Sequence, residues 1–353
     1  MKPLVALLFF LPAVALADVS PYLSLHTFTY SEPITIQNIL NDSSDSFTGG
    51  EDVLTHNWAE IGATYNNFSI GILSRYDYDL EFSEDTAEFY YLIENKKPLP
   101  QGRVFNLSLE AKHTQSDGVR FSYAHTFKQN VNINVGLSYL RGVWLTEGKA
   151  QGQGVALTEN DYDFLFDVNY YYSEDAIFER KVDSPEGTGY SIDFTLDWEV
   201  NQQWEFNLRV IDLLGRMYWE YAPYTTAVAS SDNKEYDDDG YLIYKPVLSG
   251  YEGNADFTQK LKPQIKALVN YQWNNKFAAL GQLYSFYTAN FYQLGLGYSL
   301  NRKSLLSMLY MFETNAITID YKMQYFHFMI TSDAFQFDDA NTFALSLNTT
   351  IKF

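Results

Sequence analysis

The 353-residue sequence contains no cysteine, so it can form no disulfide bond and offers no thiol for lipid attachment or zinc binding. After residue 17 it also lacks any run of eighteen apolar residues, which argues against a transmembrane helix. Positive charge is scarce, because 24 Lys and Arg stand against 44 Asp and Glu, for a net charge of −20. Nucleic acid is therefore not expected as a partner, since phosphate binding needs basic stripes.

The first seventeen residues have the pattern of a secretory signal peptide. Lys2 gives a positive start, residues 4–11 form a short apolar run, and Ala15 and Ala17 supply the small residues of a cleavage site. A short N-terminal anchor or a first core strand is the alternative. We predict cleavage before Asp18, with residues 18–353 forming one domain.

Aromatic residues are abundant, with 29 Tyr and 26 Phe in a chain whose mean hydropathy is only −0.25. Apolar residues occupy every second position from Tyr190 to Val200, and polar residues fill the positions between them. Eleven residues match the length of a strand that crosses a membrane at a tilt. A soluble β-sandwich also alternates, but so many long alternating strands favour an all-β, antiparallel up-and-down transmembrane β-barrel of about 16 strands (14–18) with a wet lumen. The same pattern recurs in segments 105–112, 131–139, 162–170, 265–273, 292–298 and 317–323.

Short polar segments separate many of these strands and predict tight turns, because Asn tolerates the left-handed backbone of hairpins. Aromatic residues flank several of them, which is typical of the girdle at a membrane interface. The turns are Asn66-Asn67, Lys128-Gln129-Asn130, Asn201-Gln202-Gln203, Asn274-Asn275 and Asn301-Arg302-Lys303. Longer polar segments are assigned to loops at the opposite end: 31–56, 146–156, 182–188 and 222–258.

The last eleven residues form an alternating strand that ends on an aromatic residue, with Leu347, Ile351 and Phe353 on its apolar face. This strand resembles the C-terminal signature of Gram-negative outer-membrane β-barrel proteins. The resemblance implies a location in the cell outer membrane, contact with its lipid and lipopolysaccharide, and recognition by the barrel-assembly machinery during biogenesis. No particular barrel family is indicated. The first strand begins near Pro21, which leaves no room for a large N-terminal plug.

Charged residues on the faces predicted to point inward are candidates for lining the lumen. Charged rings set ion selectivity in pores, and acids outnumber bases here, so a weak cation preference is the hypothesis. Paired charges could equally fill a closed barrel that does not conduct. The candidates are Glu110, Lys112, Asp163, Asp167, Asp193, Asp197, Glu199, Glu205, Arg209, Lys266, Asp320 and Lys322.

An acidic segment within 222–258 invites a calcium interpretation, because Glu235, Asp237 and Asp239 precede Gly240 as carboxylates do in a calcium loop. The bidentate Glu expected at the twelfth position is absent, since Pro246 stands there. A solvated acidic loop is the simpler interpretation. We expect no cofactor and no dedicated metal site.

Ser24 and His26 lie on one strand face and are the only pair that suggests a hydrolytic site. No third polar group accompanies them in the sequence, and we expect the protein not to be an enzyme. The leading hypothesis is an outer-membrane channel for passive diffusion of small hydrophilic solutes. The alternative is a non-conducting barrel with a structural, assembly or surface-binding role. The oligomeric state stays open.

Overall fold

The computed structural model describes residues 19–41, 47–231, 235–238, 240, 242–243, 247–301 and 303–352. All strand pairs among them are antiparallel, as the sequence predicts. The strands are β1 (Val19–Ser31), β2 (Asp52–Tyr65), β3 (Phe68–Phe82), β4 (Val104–Phe127), β5 (Val131–Ala156), β6 (Tyr162–Tyr172), β7 (Glu186–Glu199), β8 (Trp204–Ser230), β9 (Glu235–Tyr236), β10 (Leu242–Ile243), β11 (Val247–Leu261), β12 (Gln264–Gln272), β13 (Phe277–Ser285), β14 (Asn290–Asn301), β15 (Ser304–Met311), β16 (Ile317–Met323), β17 (Phe326–Ser332) and β18 (Thr342–Thr350). The helices are α1 (Ile36–Leu40), α2 (Glu84–Glu94) and a 3-10 turn at Phe337–Asp339.

The main sheet closes on itself because β18 pairs with β1. Fourteen of the described strands form the ring: β1 to β5, β7, β8 and β12 to β18. β6 and β11 lie outside that ring, since the first part of β5 pairs with β7 while its last part, residues 146–156, pairs with β6. The prediction of an all-β barrel of about 16 strands is therefore confirmed.

One end of the barrel carries the tight turns, the beginning of β1 and the end of β18. Each of the five predicted turns connects adjacent antiparallel strands there, and residues 324–325 form a sixth. Asn66, Lys128 and Gln129 adopt φ values of 53°, 49° and 63°, the left-handed region that such turns require. In outer-membrane barrels the end with short turns faces the periplasm.

The outer surface of the barrel is apolar and is bordered by aromatic rings. Ile72, Leu137 and Leu296 are 67%, 52% and 64% exposed, which would be unfavourable in water and is appropriate in lipid. Rings beside the short turns are also exposed, namely those of Tyr65, Phe68, Phe127, Trp204, Trp273 and Phe277. A closed antiparallel barrel with this exterior is an outer-membrane β-barrel protein.

Two segments expected as long loops are mainly strand, so the sequence interpretation needs correction there. Residues 146–156 belong to β5, and most of 222–258 belongs to β8 and β11, which leaves 231–246 as the connection. The polar character that suggested a loop at 146–156 belongs to strand residues, and one glycine of the segment makes room for a ring, since a Cβ on Gly154 would lie 2.7 Å from Phe89. β4, β5, β6, β8 and β11 thus form a tall wall at the end opposite the short turns.

The outer face of the tall wall is covered by protein. Ser83 caps α2 by accepting a hydrogen bond from the amide of Thr86. Phe89 of this helix packs against Phe105 and Tyr162, with ring centroids 4.9 Å and 5.3 Å apart. The apolar face of β6 therefore contacts protein, although the alternation suggested lipid. No helix among the described residues is long and apolar enough to cross a bilayer.

Replacing Phe89 with alanine should release α2 from the tall wall and leave the barrel closed. Loss of a buried aromatic side chain costs about 3–5 kcal/mol. Limited proteolysis of the folded variant should then cleave within 83–103 much faster than in the unmodified protein. The matched control is Tyr90→Ala, which removes a neighbouring ring that is 62% exposed. Equal cleavage of both variants would contradict the packing role of Phe89.

Candidate functional site

A buried ion pair spans the lumen from β3 to β8. Arg75 donates from Nη1 to Oδ1 of Asp212 at 2.9 Å and from Nη2 to Oδ2 at 2.6 Å. Their side chains are 2% and 1% exposed. Asp212 has a φ of 56° and lies where the register of β7 against β8 shifts, between Ile192 and Phe194. This bulge turns the carboxylate inward, since a bulge redirects the side chains beside it.

Further polar groups extend this pair into a layer across the barrel. Arg75 also donates to Asp77 at 2.7 Å, and the Nδ1 atom of His56 lies 2.9 Å from Asp77. Gln264 on β12 donates to the same carboxylate at 3.1 Å. Together His56, Arg75, Asp77, Asp212 and Gln264 are the ionic layer, whose members come from β2, β3, β8 and β12.

The ionic layer separates two cavities of unequal size. The larger, of about 690 Å³, reaches Glu205 and Lys322 at the short-turn end and is called the lower cavity. The smaller, of about 30 Å³, lies on the other side and is lined by Lys112 and Lys262. Four members of the ionic layer border both cavities, namely His56, Arg75, Asp77 and Gln264.

The turn between β13 and β14, residues 286–289, reaches across the lumen above the ionic layer and is called the cap turn. Phe286 stacks on His56 at 4.7 Å with an interplanar angle of 5°. The ring of Tyr287 lies 3.7 Å from Nζ of Lys112 and 4.3 Å from Nζ of Lys262, and its hydroxyl donates to Glu110. The cap turn thus links β13 and β14 to β2 and β4 on the other side of the lumen. The sequence does not reveal it, because nothing in a four-residue connection marks contact across a barrel.

Apolar clusters fill the lumen beside the ionic layer, where inward positions were expected to be polar. Trp219 is 1% exposed, and its ring occupies the space that Gly142 and Gly187 leave by lacking a side chain. A Cβ at either glycine would lie about 2.4–2.5 Å from that ring. The first cluster contains Trp58, Leu73, Leu140, Leu145, Met217 and Trp219, and the second contains Phe28, Tyr30, Leu54, Tyr284, Phe291 and Met311.

The structure places the predicted lumenal charges in different surroundings. Asp193 is buried against Arg120 at 2.8 Å. Glu110 and Lys112 lie above the ionic layer with the cap turn. Glu199, Asp163 and Asp167 are exposed, the first at the short-turn end and the others on β6, outside the ring. Six line the lower cavity: Asp197, Glu205, Arg209, Lys266, Asp320 and Lys322.

The remaining sequence expectations fall partly outside the described residues. Asp237 forms an ion pair with Lys96, while Asp239 and the side chain of Glu235 lie outside, so the calcium hypothesis stays a prediction. No group of three or more acidic or histidine side chains that could hold a metal occurs in the described residues. The signal peptide and Phe353 lie outside as well. Ile351 follows β18 and is 54% exposed.

Ser24 and His26 do lie together in the lower cavity, with Oγ and Nε2 3.0 Å apart. Ser24 donates its hydroxyl hydrogen to Asn348 at 2.7 Å. Nη1 of Arg209 lies 2.8 Å from the same Nε2 atom, so the lone pair of that nitrogen accepts from arginine. Nucleophilic catalysis needs this lone pair to take the serine proton, and the arrangement therefore does not activate Ser24.

Several solved structures resemble the chain. The Pseudomonas putida toluene transporter TodX shares 7% identity at a TM-score of 0.38 over 97% of this chain and 89% of its own. The Ralstonia pickettii toluene transporter TbuX shares 8% identity at a TM-score of 0.31 over 95% of this chain and 90% of its own. A Pseudomonas aeruginosa FadL homologue shares 10% identity at a TM-score of 0.27 over 95% of this chain and 90% of its own. At these identities and TM-scores the likeness carries no conclusion about this chain. No protein-family model and no curated protein matches the sequence.

Removing one member of the central ion pair should destabilise the barrel more than removing both. Asp212→Ala leaves the Arg75 guanidinium partly uncompensated and should lower the free energy of unfolding by about 3–5 kcal/mol. The double variant Arg75→Met/Asp212→Ala should recover most of that loss, because His56 still holds Asp77. Unfolding in denaturant, followed by tryptophan fluorescence, measures both. A double variant less stable than the single one would contradict this account.

Proposed function

We propose that this protein is an outer-membrane channel for small solutes, closed in this conformation by the ionic layer and the cap turn. The observation that supports the proposal is the lower cavity of about 690 Å³, which extends from the short-turn end to the ionic layer. Barrels of fourteen or more strands are wide enough to hold water, whereas eight-stranded ones are filled by side chains. A solute then passes when an element that blocks the lumen is displaced, and the strands of the barrel do not have to move.

The cap turn is the element best suited to move. It is held by packing of Phe286 on His56 and Phe28, by two lysine contacts to the ring of Tyr287, and by the hydrogen bond from Tyr287 to Glu110. Each such contact contributes about 0.5–2 kcal/mol, which is less than the cost of breaking a buried ion pair. Phe286 and His56 both line the lower cavity, so displacing Phe286 would widen this cavity along the His56 side of the ionic layer while Arg75 and Asp212 stay bound.

The lining of the lower cavity supports hydrophilic solutes. Hydroxyl and amide groups project into it from several strands, including those of Ser24, Asn207, Asn270 and Ser346. The described lining carries five acidic and five basic side chains. They are Glu60, Asp77, Asp197, Glu205 and Asp320 against Arg75, Arg120, Arg209, Lys266 and Lys322. This balance does not favour the weak cation preference inferred from the sequence, and the proposal leaves that preference out.

A non-conducting barrel that binds a partner at the cell surface is the second candidate. It is favoured by the tall wall, whose side facing the mouth carries tyrosine rings. Tyr171, Tyr224 and Tyr251 follow one another there, with adjacent ring centroids 5.5 Å and 6.2 Å apart, and Tyr251 is 64% exposed. Exposed aromatic residues are frequent at protein interfaces.

Replacing both rings of the cap turn should open the channel. The variant Phe286→Ala/Tyr287→Ala loses its contacts with His56, Lys112 and Lys262, so its single-channel conductance in a planar bilayer should be steady. The unmodified protein should show rare, brief openings. The matched control is Tyr292→Ala, which removes a ring on the outer face that is 53% exposed. Silence of the correctly folded double variant would overturn the channel proposal in favour of the surface-binding barrel.

The open variant should discriminate little between small monovalent ions, because its described lining is balanced in charge. In a tenfold gradient of potassium chloride the reversal potential should stay close to zero. Glu205→Gln removes one acidic group at the periplasmic end and should shift the reversal potential toward the value for chloride. A strong cation preference in the open variant would instead restore the hypothesis drawn from the sequence.

A further inference from the structure

Two cationic side chains face each other on the inner wall of the lower cavity, and no carboxylate of the described residues pairs with either of them. Arg209 on β8 and Lys266 on β12 are directly opposite in the register of the two strands, and both line the cavity. Like charges in this position repel each other and destabilise a sheet. Their juxtaposition therefore calls for a compensating group.

Among the described residues, the ammonium of Lys266 has no oxygen acceptor. Its Nζ atom lies 3.9 Å from Sδ of Met329 and 4.8 Å from the ring centroid of Tyr284. No carboxylate of the described residues lies within 4 Å of it. Lysine readily provides a point charge for an anion, and here it is presented beside an apolar surface.

Arg209 likewise has no carboxylate within 4 Å among the described residues. One of its nitrogens donates to His26, and the guanidinium lies 5.6 Å from the ring centroid of Trp58. Asp193 and Glu60 form ion pairs with Arg120, at 2.8 Å and 3.6 Å. Further donors of the Arg209 guanidinium are left for another acceptor.

Other charges that line the lower cavity have partners. Lys322 pairs with Glu205 at 3.0 Å, Asp320 contacts His327 at 3.0 Å, and Asp197 accepts from Asn207. Arg209 and Lys266 thus differ from the remaining lumenal charges of the described chain. The overall balance of charge in the lumen therefore does not explain why Arg209 and Lys266 have no carboxylate within 4 Å among the described residues.

We propose that Arg209 and Lys266 bind the carboxylate of a small organic anion in the lower cavity, a site that rests on the channel function and defines its solute class. The guanidinium offers a fork of N–H donors to one or both carboxylate oxygens, and the ammonium offers a second charge. The body of the solute lies against the edges of Phe28, Tyr284 and Met329 that line the same cavity, since these side chains are only 5%, 8% and 1% exposed. This apolar surface distinguishes an organic carboxylate from inorganic phosphate.

Calorimetric titration of the folded full-length protein in detergent tests the site without requiring conductance. The probes are benzoate, its neutral counterpart benzamide, and inorganic phosphate. Benzoate should bind at least tenfold more tightly than either of the others, because only it satisfies both the cations and the apolar surface. Lys266→Met, which preserves the length of the side chain, should weaken benzoate binding about tenfold. Lys322→Met, which removes a paired lumenal cation, should leave the binding within about twofold.

Benzamide binding as tightly as benzoate would overturn the anion site, and so would unchanged affinity in Lys266→Met. Phosphate binding as tightly as benzoate would overturn the assignment of an organic solute. Thermal unfolding separates loss of the site from loss of the fold, because the midpoint of Lys266→Met should equal or exceed that of the unmodified protein and the midpoint of Lys322→Met should stay close to it. Benzoate binding by a barrel that never conducts would refute the channel and leave the binding site standing.

Discussion

The structure depends on one constraint: a sheet inside lipid cannot have an unpaired edge strand. Unpaired backbone amides and carbonyls find no water in the bilayer, so the pairing of β18 with β1 must close the ring. Closure fixes the inward or outward direction of every side chain along the fourteen strands. It also explains why β6 and β11, which are not part of the ring, lie only at the end with the long segments. There solvent can form hydrogen bonds with unpaired backbone groups, and α2 can cover apolar side chains.

Closure does not determine which side chains occupy the interior, and in this chain they fill much of the lumen. The ionic layer joins residues that lie far apart in the sequence, since Arg75 and Asp212 are separated by 137 positions. Trp219 and the other apolar side chains pack beside the layer, so water is excluded where the pair forms. The lower cavity stays polar, and it differs from a core in containing Arg209 and Lys266, which no carboxylate of the described residues pairs with.

The sequence predicted the outside of this molecule better than the inside. Membrane strands such as 190–200, the short turns and the aromatic girdle follow from local rules, because lipid imposes alternation and hairpins demand a left-handed backbone at residues such as Asn66. Contacts across the lumen have no local signature. Nothing adjacent to Arg75 in the sequence points to Asp212, and Phe286 meets His56 through closure of the whole ring. Segment 146–156 was assigned to a loop because it is polar, but its residues continue β5 beyond the part that pairs with β7 and pair there with β6.

The tall wall changes what the protein presents beyond the bilayer at the end opposite the short turns. β5 has 26 residues, which correspond to about 86 Å of strand at a rise of about 3.3 Å per residue. Roughly nine to eleven residues suffice to cross the hydrocarbon core of a bilayer, so more than half of β5 lies outside that core. A macromolecule that approached this end would therefore meet α2 and β6 before it reached the mouth of the lumen, and substitutions can accumulate on their surface without altering the side chains of the lumen.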